Sequence, residues 1–133
     1  AAEKELGVDR AKASFILPLG ATANMDGTAL FEGIAAIYLA YMFGIDLGST
    51  EIITVFLISM LSSIGAPGMP SGSMAGMQLV LLAVGIPLEG IAILLIVERP
   101  LDTIRTALNV EGDMTGAAIV TRIMGIRRKP VPA

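Results

Sequence analysis

From Ile52 to Leu88 the chain runs 37 residues without one charged side chain. A soluble core helix seldom needs such a run, and about 18 consecutive apolar residues already suffice for a bilayer candidate. Composition points the same way: 54% of the residues are hydrophobic and 16% charged, against about a quarter charged in an average soluble domain. The residue inventory excludes several function classes. A net charge of −3 offers no basic surface for nucleic acid. With neither Cys nor His, disulfides, thiol catalysis, the usual zinc sites and histidine bases are ruled out. The opening residues 1–12 (AAEKELGVDRAK) are charged and carry no initiator Met or signal peptide. The chain therefore reads as a segment of a larger protein, long enough for one small helical bundle.

Four apolar blocks organise the rest. The first, 13–45, is interrupted by NMDGT (residues 24–28). In lipid such a break is costly, because a carboxylate and the freed backbone groups need partners. The second block, 51–63, follows a GIDLGST turn, with Ser49 or Thr50 as the expected N-cap. A Gly/Pro/Ser cluster, 65–72 (GAPGMPSG), separates it from the third block, 73–84, and the fourth runs from 88 to 124. At 1.5 Å per residue the middle blocks reach only about 20 Å, short of a hydrocarbon core of about 30 Å. Two half-length helices joined by such a tip, over 51–84, predict a re-entrant hairpin, tolerated where it is buried in protein or lines a watery cavity. Lys4, Arg10 and Lys12 precede the first block, and Arg122, Arg127, Arg128 and Lys129 follow the last, while both connecting loops lack Lys and Arg. The positive-inside rule then makes both ends of the segment, 1–12 and 125–133, cytoplasmic. The predicted fold class is an all-α membrane protein with a broken transmembrane helix, a re-entrant helical hairpin and a final amphipathic transmembrane helix.

On that last helix Glu98, Asp102, Arg105, Asn109 and Asp113 fall within an arc of roughly 80°, with Thr106 at its edge. Ionisable residues at bilayer depth face a protein interior or an aqueous cavity and point to ion or substrate handling. Arg99 and Glu111 lie off the stripe and receive no role, and Pro100 is expected to kink the helix or mark its first wet turn. Unwound carbonyls over residues 20–24 suit a hard cation, with Asp26 and Asp113 supplying negative charge. The half-helix starting near Ser73 turns free N–H groups toward an anion, and Arg105 offers a bidentate fork for a carboxylate. Cation and carboxylate bound together is the chemistry of a coupled transporter.

NMDGT, then SSIGAPGMPSGS, then DTIRTALNVEGD in this order resemble the dicarboxylate/amino acid:cation symporter family, relatives of the excitatory glutamate transporters. The resemblance runs from about Leu6 to Met124, the C-terminal third of such a protein and half of its transport domain. It implies a secondary active symporter that couples sodium to uptake of aspartate or glutamate. Glu32 matches the position that carries a proton in the animal glutamate transporters, the alternative being a structural acid hydrogen-bonded to a neighbouring helix. It also implies a multi-pass plasma-membrane protein that is a homotrimer at full length, with sodium as coupling ion and no organic cofactor. By motif position Asp102 would receive the substrate amino group and Arg105 its side-chain carboxylate. Thr106, Asn109 and Thr28 would hold the α-carboxylate end, and the tip Met69, Pro70, Ser71, Gly72 and Ser73 would cover the ligand. One sodium site would use carbonyls of Gly20, Asn24 and Asn109 with the Asp113 carboxylate. A second would use carbonyls of Thr22, Ser63, Ile64 and Ala66, and a third Asn24 and Asp26. The GAPGMPSGS tip is less glycine-rich than the family's usual one, with Pro67 and two serines added, which bears on substrate identity more than on class.

Other classes fit less of the sequence. A dicarboxylate without an amino group is the nearest alternative substrate. An intramembrane aspartyl protease would use Asp26 and Asp113, but Val110 stands where its signature needs glycine, and Arg105 and the hairpin go unused. A purely structural bundle would explain the spacing of Gly68, Gly72 and Gly76 and leave the charged stripe unexplained.

Overall fold

The computed structural model describes residues 1–65 and 72–127, and every regular element among them is an α-helix. In chain order these are α1 (Ala2–Glu5), α2 (Arg10–Ala23), α3 (Asp26–Met42), α4 (Ser49–Ile64), α5 (Ser73–Ala83) and α6 (Gly90–Arg127). The tip residues Ala66, Met69, Pro70 and Ser71, on which part of the sequence reading rests, lie outside the described residues.

Local chemistry sets the boundaries. Asp9 caps α2, its carboxylate accepting from the N–H groups of Ala11 and Lys12 at 3.0 and 3.4 Å. The α2 helix ends at Ala23 and α3 begins at Asp26. Residues 20–23, expected to be unwound, are therefore helical, and the Gly20 carbonyl accepts the Asn24 N–H. The interruption is confined to Asn24 and Met25 inside NMDGT. Helices α3 and α5 end alike. Gly44 and Gly85 adopt φ of 67° and 71°, and the next residue donates back to the helix: Ile45 N–H to the Ala40 carbonyl, and Ile86 N–H to that of Leu81. Only glycine takes this left-handed cap without strain. The start of α4 differs from expectation. Gly48 is the N-cap, and Ser49 is already the first helical residue, with no side-chain cap. Within α4 the Thr54 hydroxyl donates to the Thr50 carbonyl at 2.8 Å. The charged lead, 1–12, also contains a short helix that periodicity did not indicate: α1 is tied down by Ala2 and Val8, which pack with Ala13 and Ala117.

Helix α3 sits at the centre, packed against α4, α5 and α6, while α2 lies on α6. Its inner face is mostly alanine (Ala35, Ala36 and Ala40), which allows close approach, with Leu39 filling the gap. Val55 of α4, Met77, Val80 and Leu81 of α5, Ile86 of the loop after α5 and Leu94 of α6 complete this core. Gly90 continues it: a Cβ there would stand about 3 Å from the Leu39 and Phe43 side chains.

Polarity runs inside-out. Glu32, Glu98, Arg105, Thr28, Ser59, Ser63 and Ser73 are buried, whereas Phe15, Tyr41, Phe56, Leu61 and Ile96 are largely exposed. Among the described residues no helix is long and apolar enough to cross a membrane. Helix α3, with 17 residues, rises only about 25 Å. Helix α6, with 38 residues, has the length expected of a last transmembrane helix over 88–124 but carries Glu98 through Asp113 along it. Pro100 lies inside α6 and does not end it.

Leu39 is fully buried where α3, α5 and α6 meet. Leu39→Ala should lower unfolding free energy by about 2–5 kcal/mol, because the cavity cannot collapse around a rigid alanine face. Chemical denaturation in detergent measures this; a loss below about 1 kcal/mol would contradict the packing described.

Candidate functional site

Interrupting a helix leaves backbone groups without intrahelical partners. Here α6 supplies two amide or acid side chains one turn apart. Asn109 Oδ1 accepts from the Gly27 N–H at 2.8 Å, and Asn109 Nδ2 donates to Thr28 Oγ1 at 3.3 Å. Asn24 Nδ2 donates to Asp113 Oδ1 at 3.1 Å, and the Asn24 N–H returns to the Gly20 carbonyl at 2.7 Å. The approach is close enough to require glycine on both sides. A Cβ at Gly20 would collide with the Asp113 carboxylate, and one at Gly112 would stand 2.7 Å from Asn24 Nδ2 and 2.9 Å from Asp26 Oδ2. Gly20, Asn24, Asp26, Asn109 and Asp113 are thereby gathered at one end of the break.

The charged part of the stripe forms a second cluster on α6. Arg105, 5% exposed, directs Nη2 to both Glu98 Oε1, at 3.1 Å, and Asp102 Oδ1. Its guanidinium carbon lies 4.7 Å from the centroid of the Phe31 ring on α3. That contact is a cation–π interaction. Nη1 is buried with no partner among the described residues. The guanidinium is thus neutralised on one side, stacked on an aromatic face and left with an open donor. A groove of about 620 Å³ between α3 and α6 touches the cluster, with Arg105 its only charged lining residue and Phe31, Ile34, Leu101, Ile104 and Leu108 among its walls.

A third cluster joins three helices. Glu32 of α3 is fully buried. Its Oε2 accepts from Ser62 Oγ of α4, and its Oε1 lies against Gly76 of α5, where a Cβ would collide with it and stand 3.2 Å from Ser62 Cβ.

Other residues singled out from the sequence are not drawn in. Thr22 Oγ1 donates to the Leu19 carbonyl of its own helix, and Ser63 Oγ to that of Met60; no hydrogen bond among the described residues joins them. Ile64 is the last residue of α4, and Gly72 and Ser73 stand at the start of α5. The Ser73 hydroxyl is buried without a partner among the described residues. Thr106, Arg99 and Glu111 are exposed. Among the described residues no three Asp, Glu, His or Cys side chains converge as a metal cluster. A cation at the break would therefore rest on carbonyls and amides with one or two carboxylates, the donor set of a hard, weakly held ion. Sequence reasoning missed Phe31, Ser62 and Gly76. Phe31, one residue before Glu32 and five after Asp26, had only its place in the NMDGT helix as a signal. Ser62 opens the SSIGAPGMPSGS motif and Gly76 belongs to the Gly68, Gly72, Gly76 spacing, but neither feature pointed to Glu32.

The model of the Sodium:dicarboxylate symporter family matches residues 1–123. The chain is 49% identical over 118 residues to an excitatory amino acid transporter of Onchocerca volvulus, a match covering 89% of this chain and 24% of that protein. It is also 49% identical over 118 residues to excitatory amino acid transporter 2 of Homo sapiens, covering 89% and 21%. To excitatory amino acid transporter 3 of Mus musculus it is 43% identical over 122 residues, covering 92% and 23%. The chain spans about a quarter of the length of these curated relatives. With the family match covering nearly all of its length, the chain belongs to the sodium:dicarboxylate symporter family.

Proposed function

We propose that the chain is the C-terminal part of a transport domain in a secondary active symporter, which couples a sodium gradient to uptake of aspartate or glutamate. It is part of a transport protein and not of an enzyme. The observation that carries the substrate reading is Arg105: a buried guanidinium with two carboxylates on Nη2 and, among the described residues, no partner on Nη1. A substrate carboxylate arriving at the open nitrogen gains a charge-assisted pair. Asp102 is then released to an ammonium group, while Glu98, more deeply buried, keeps the guanidinium compensated. An amino acid with a second carboxylate fits this exchange; a simple dicarboxylate leaves Asp102 without a cation. Asn109, Thr28 and Thr106 hold the α-carboxylate end, and the tip over 69–73 covers the ligand.

The inside-out polarity supports placement in a bilayer of the plasma membrane, with both ends of the segment cytoplasmic. Helices α2 and α3 together make one broken crossing, α4 and α5 a re-entrant hairpin, and α6 the last crossing. The full-length protein is a homotrimer. Sodium binds at the break, on carbonyls of Gly20, Asn24 and Asn109 with Asp113, with further sites at Asn24 and Asp26 and at Thr22, Ser63, Ile64 and Ala66. Glu32 carries a proton, since among the described residues its buried carboxyl has a single hydroxyl partner and no salt bridge.

Two outcomes test the reading in the full-length protein. Arg105→Cys should abolish competition by aspartate, a loss of about 2–5 kcal/mol for a truncated buried charge pair, and admit neutral amino acids. Competition among aspartate, succinate and serine in parent and variant decides it: succinate outcompeting aspartate in the parent would sink the amino-acid assignment. Asp113→Asn should raise the sodium concentration needed for half-maximal uptake and, through linkage, weaken substrate binding as well. Unchanged sodium dependence would show that the carboxylate is not a ligand.

A further inference from the structure

We propose that Ser62 is the positioning residue of Glu32: a two-way hydroxyl that lets this buried carboxyl gain and lose a proton without leaving its α4 partner unpaired. The proposal rests on the reading of Glu32 as proton carrier. Ser62 Oγ has two acceptors within reach, Glu32 Oε2 across the helix interface and the carbonyl of Ser59 at 3.2 Å on its own helix. A hydroxyl has one proton to donate and two lone pairs with which to accept. When Glu32 is ionised, the Ser62 proton points to Oε2. When Oε2 carries a proton, that O–H donates to Ser62 Oγ, and the Ser62 proton turns to the Ser59 carbonyl. Each state keeps both groups paired, and only the hydroxyl rotates.

Among the described residues Ser62 is the hydroxyl that bonds Glu32, while Ser59 Oγ on the same helix is buried without a partner. Oε1 has no partner among the described residues and faces Gly76, where a Cβ would collide with it, so the hydrogen-bonded oxygen is Oε2. Helix α5 contains no ionisable side chain, and α4 has only Glu51, in its first turn, far along the helix from Ser62. Helix α6 contributes Arg105, whose hydrogen bonds go to Glu98 and Asp102. On α3 itself the nearest acid is Asp26, six residues back at the helix start. Because Ser62 and Gly76 sit on the two arms joined by the tip, the state of the carboxyl is felt by both helices of that pair.

Removing the hydroxyl does not affect the two states equally, since a hydrogen bond to a charged acceptor is about twice as strong as a neutral one. The test uses the full-length protein in liposomes. The carbonyl stretch of protonated Glu32, identified by its loss in Glu32→Gln, is titrated by infrared difference spectroscopy alongside the pH profile of uptake. Ser62→Ala should move the midpoint of the band by about three- to tenfold in proton concentration, the worth of one such bond, and move the uptake profile equally. Ser62→Thr, which keeps the hydroxyl, should stay near the parent. A band midpoint unchanged in Ser62→Ala would overturn the proposal, even if uptake falls, because a purely structural role predicts that result. No Glu32 band at any tolerated pH would overturn it too. A band that moves while the uptake profile does not would uphold the Ser62 role and remove Glu32 as the carrier.

Discussion

A helix interrupted in its middle must find partners for the groups it frees, and in this chain α6 provides them. Asn109 receives the Gly27 N–H and Asp113 holds the Asn24 amide. These contacts fix the depth of α6 against α2 and α3, and everything else on α6 follows from that register. Four residues before Asn109 stands Arg105, and three and seven before it Asp102 and Glu98. The same helical face that closes the break therefore carries the buried charge cluster to Phe31. Glycines at 20, 27 and 112 make the approach possible, because a side chain at any of them would meet the opposing polar group.

The two halves of the site do different electrostatic work. At the break, backbone carbonyls and amides with a half-buried carboxylate give a soft negative environment, suited to an ion that must enter and leave. Around Arg105, charge is compensated in place, because an unpaired guanidinium at that burial is strongly unfavourable. Among the described residues Nη1 alone of the two terminal nitrogens keeps an open donor. Both clusters stand on α6, with Asn109 and Asp113 at the break and Arg105 one turn before Asn109, so a single helix joins them.

Periodicity made the α6 stripe legible, since 100° per residue is enough to put Glu98, Asp102 and Arg105 on one face. Gly and Asp in an apolar block likewise marked where α2 stops and α3 starts. What periodicity carries is local. The cap at Gly48 went unseen because Ser49 and Thr50 have the chemistry of caps, while the turn from Asp46 places them already inside the helix. Phe31 beneath Arg105 and Ser62 beside Glu32 depend on how α3 rotates against α6 and α4, a tertiary register that no single helix encodes. The short α1 needed Val8 and Ala117, more than a hundred residues apart, to be anchored.

The most direct measurement of sodium-coupled acidic amino acid transport is accumulation of radiolabelled aspartate in liposomes containing the full-length protein, with an inward sodium gradient as the only driving force. Aspartate should concentrate inside above its external level and leak back out when the gradient is collapsed. Equilibration without accumulation, or accumulation that persists when choline replaces sodium, would contradict a coupling ion held at the α2–α3 break.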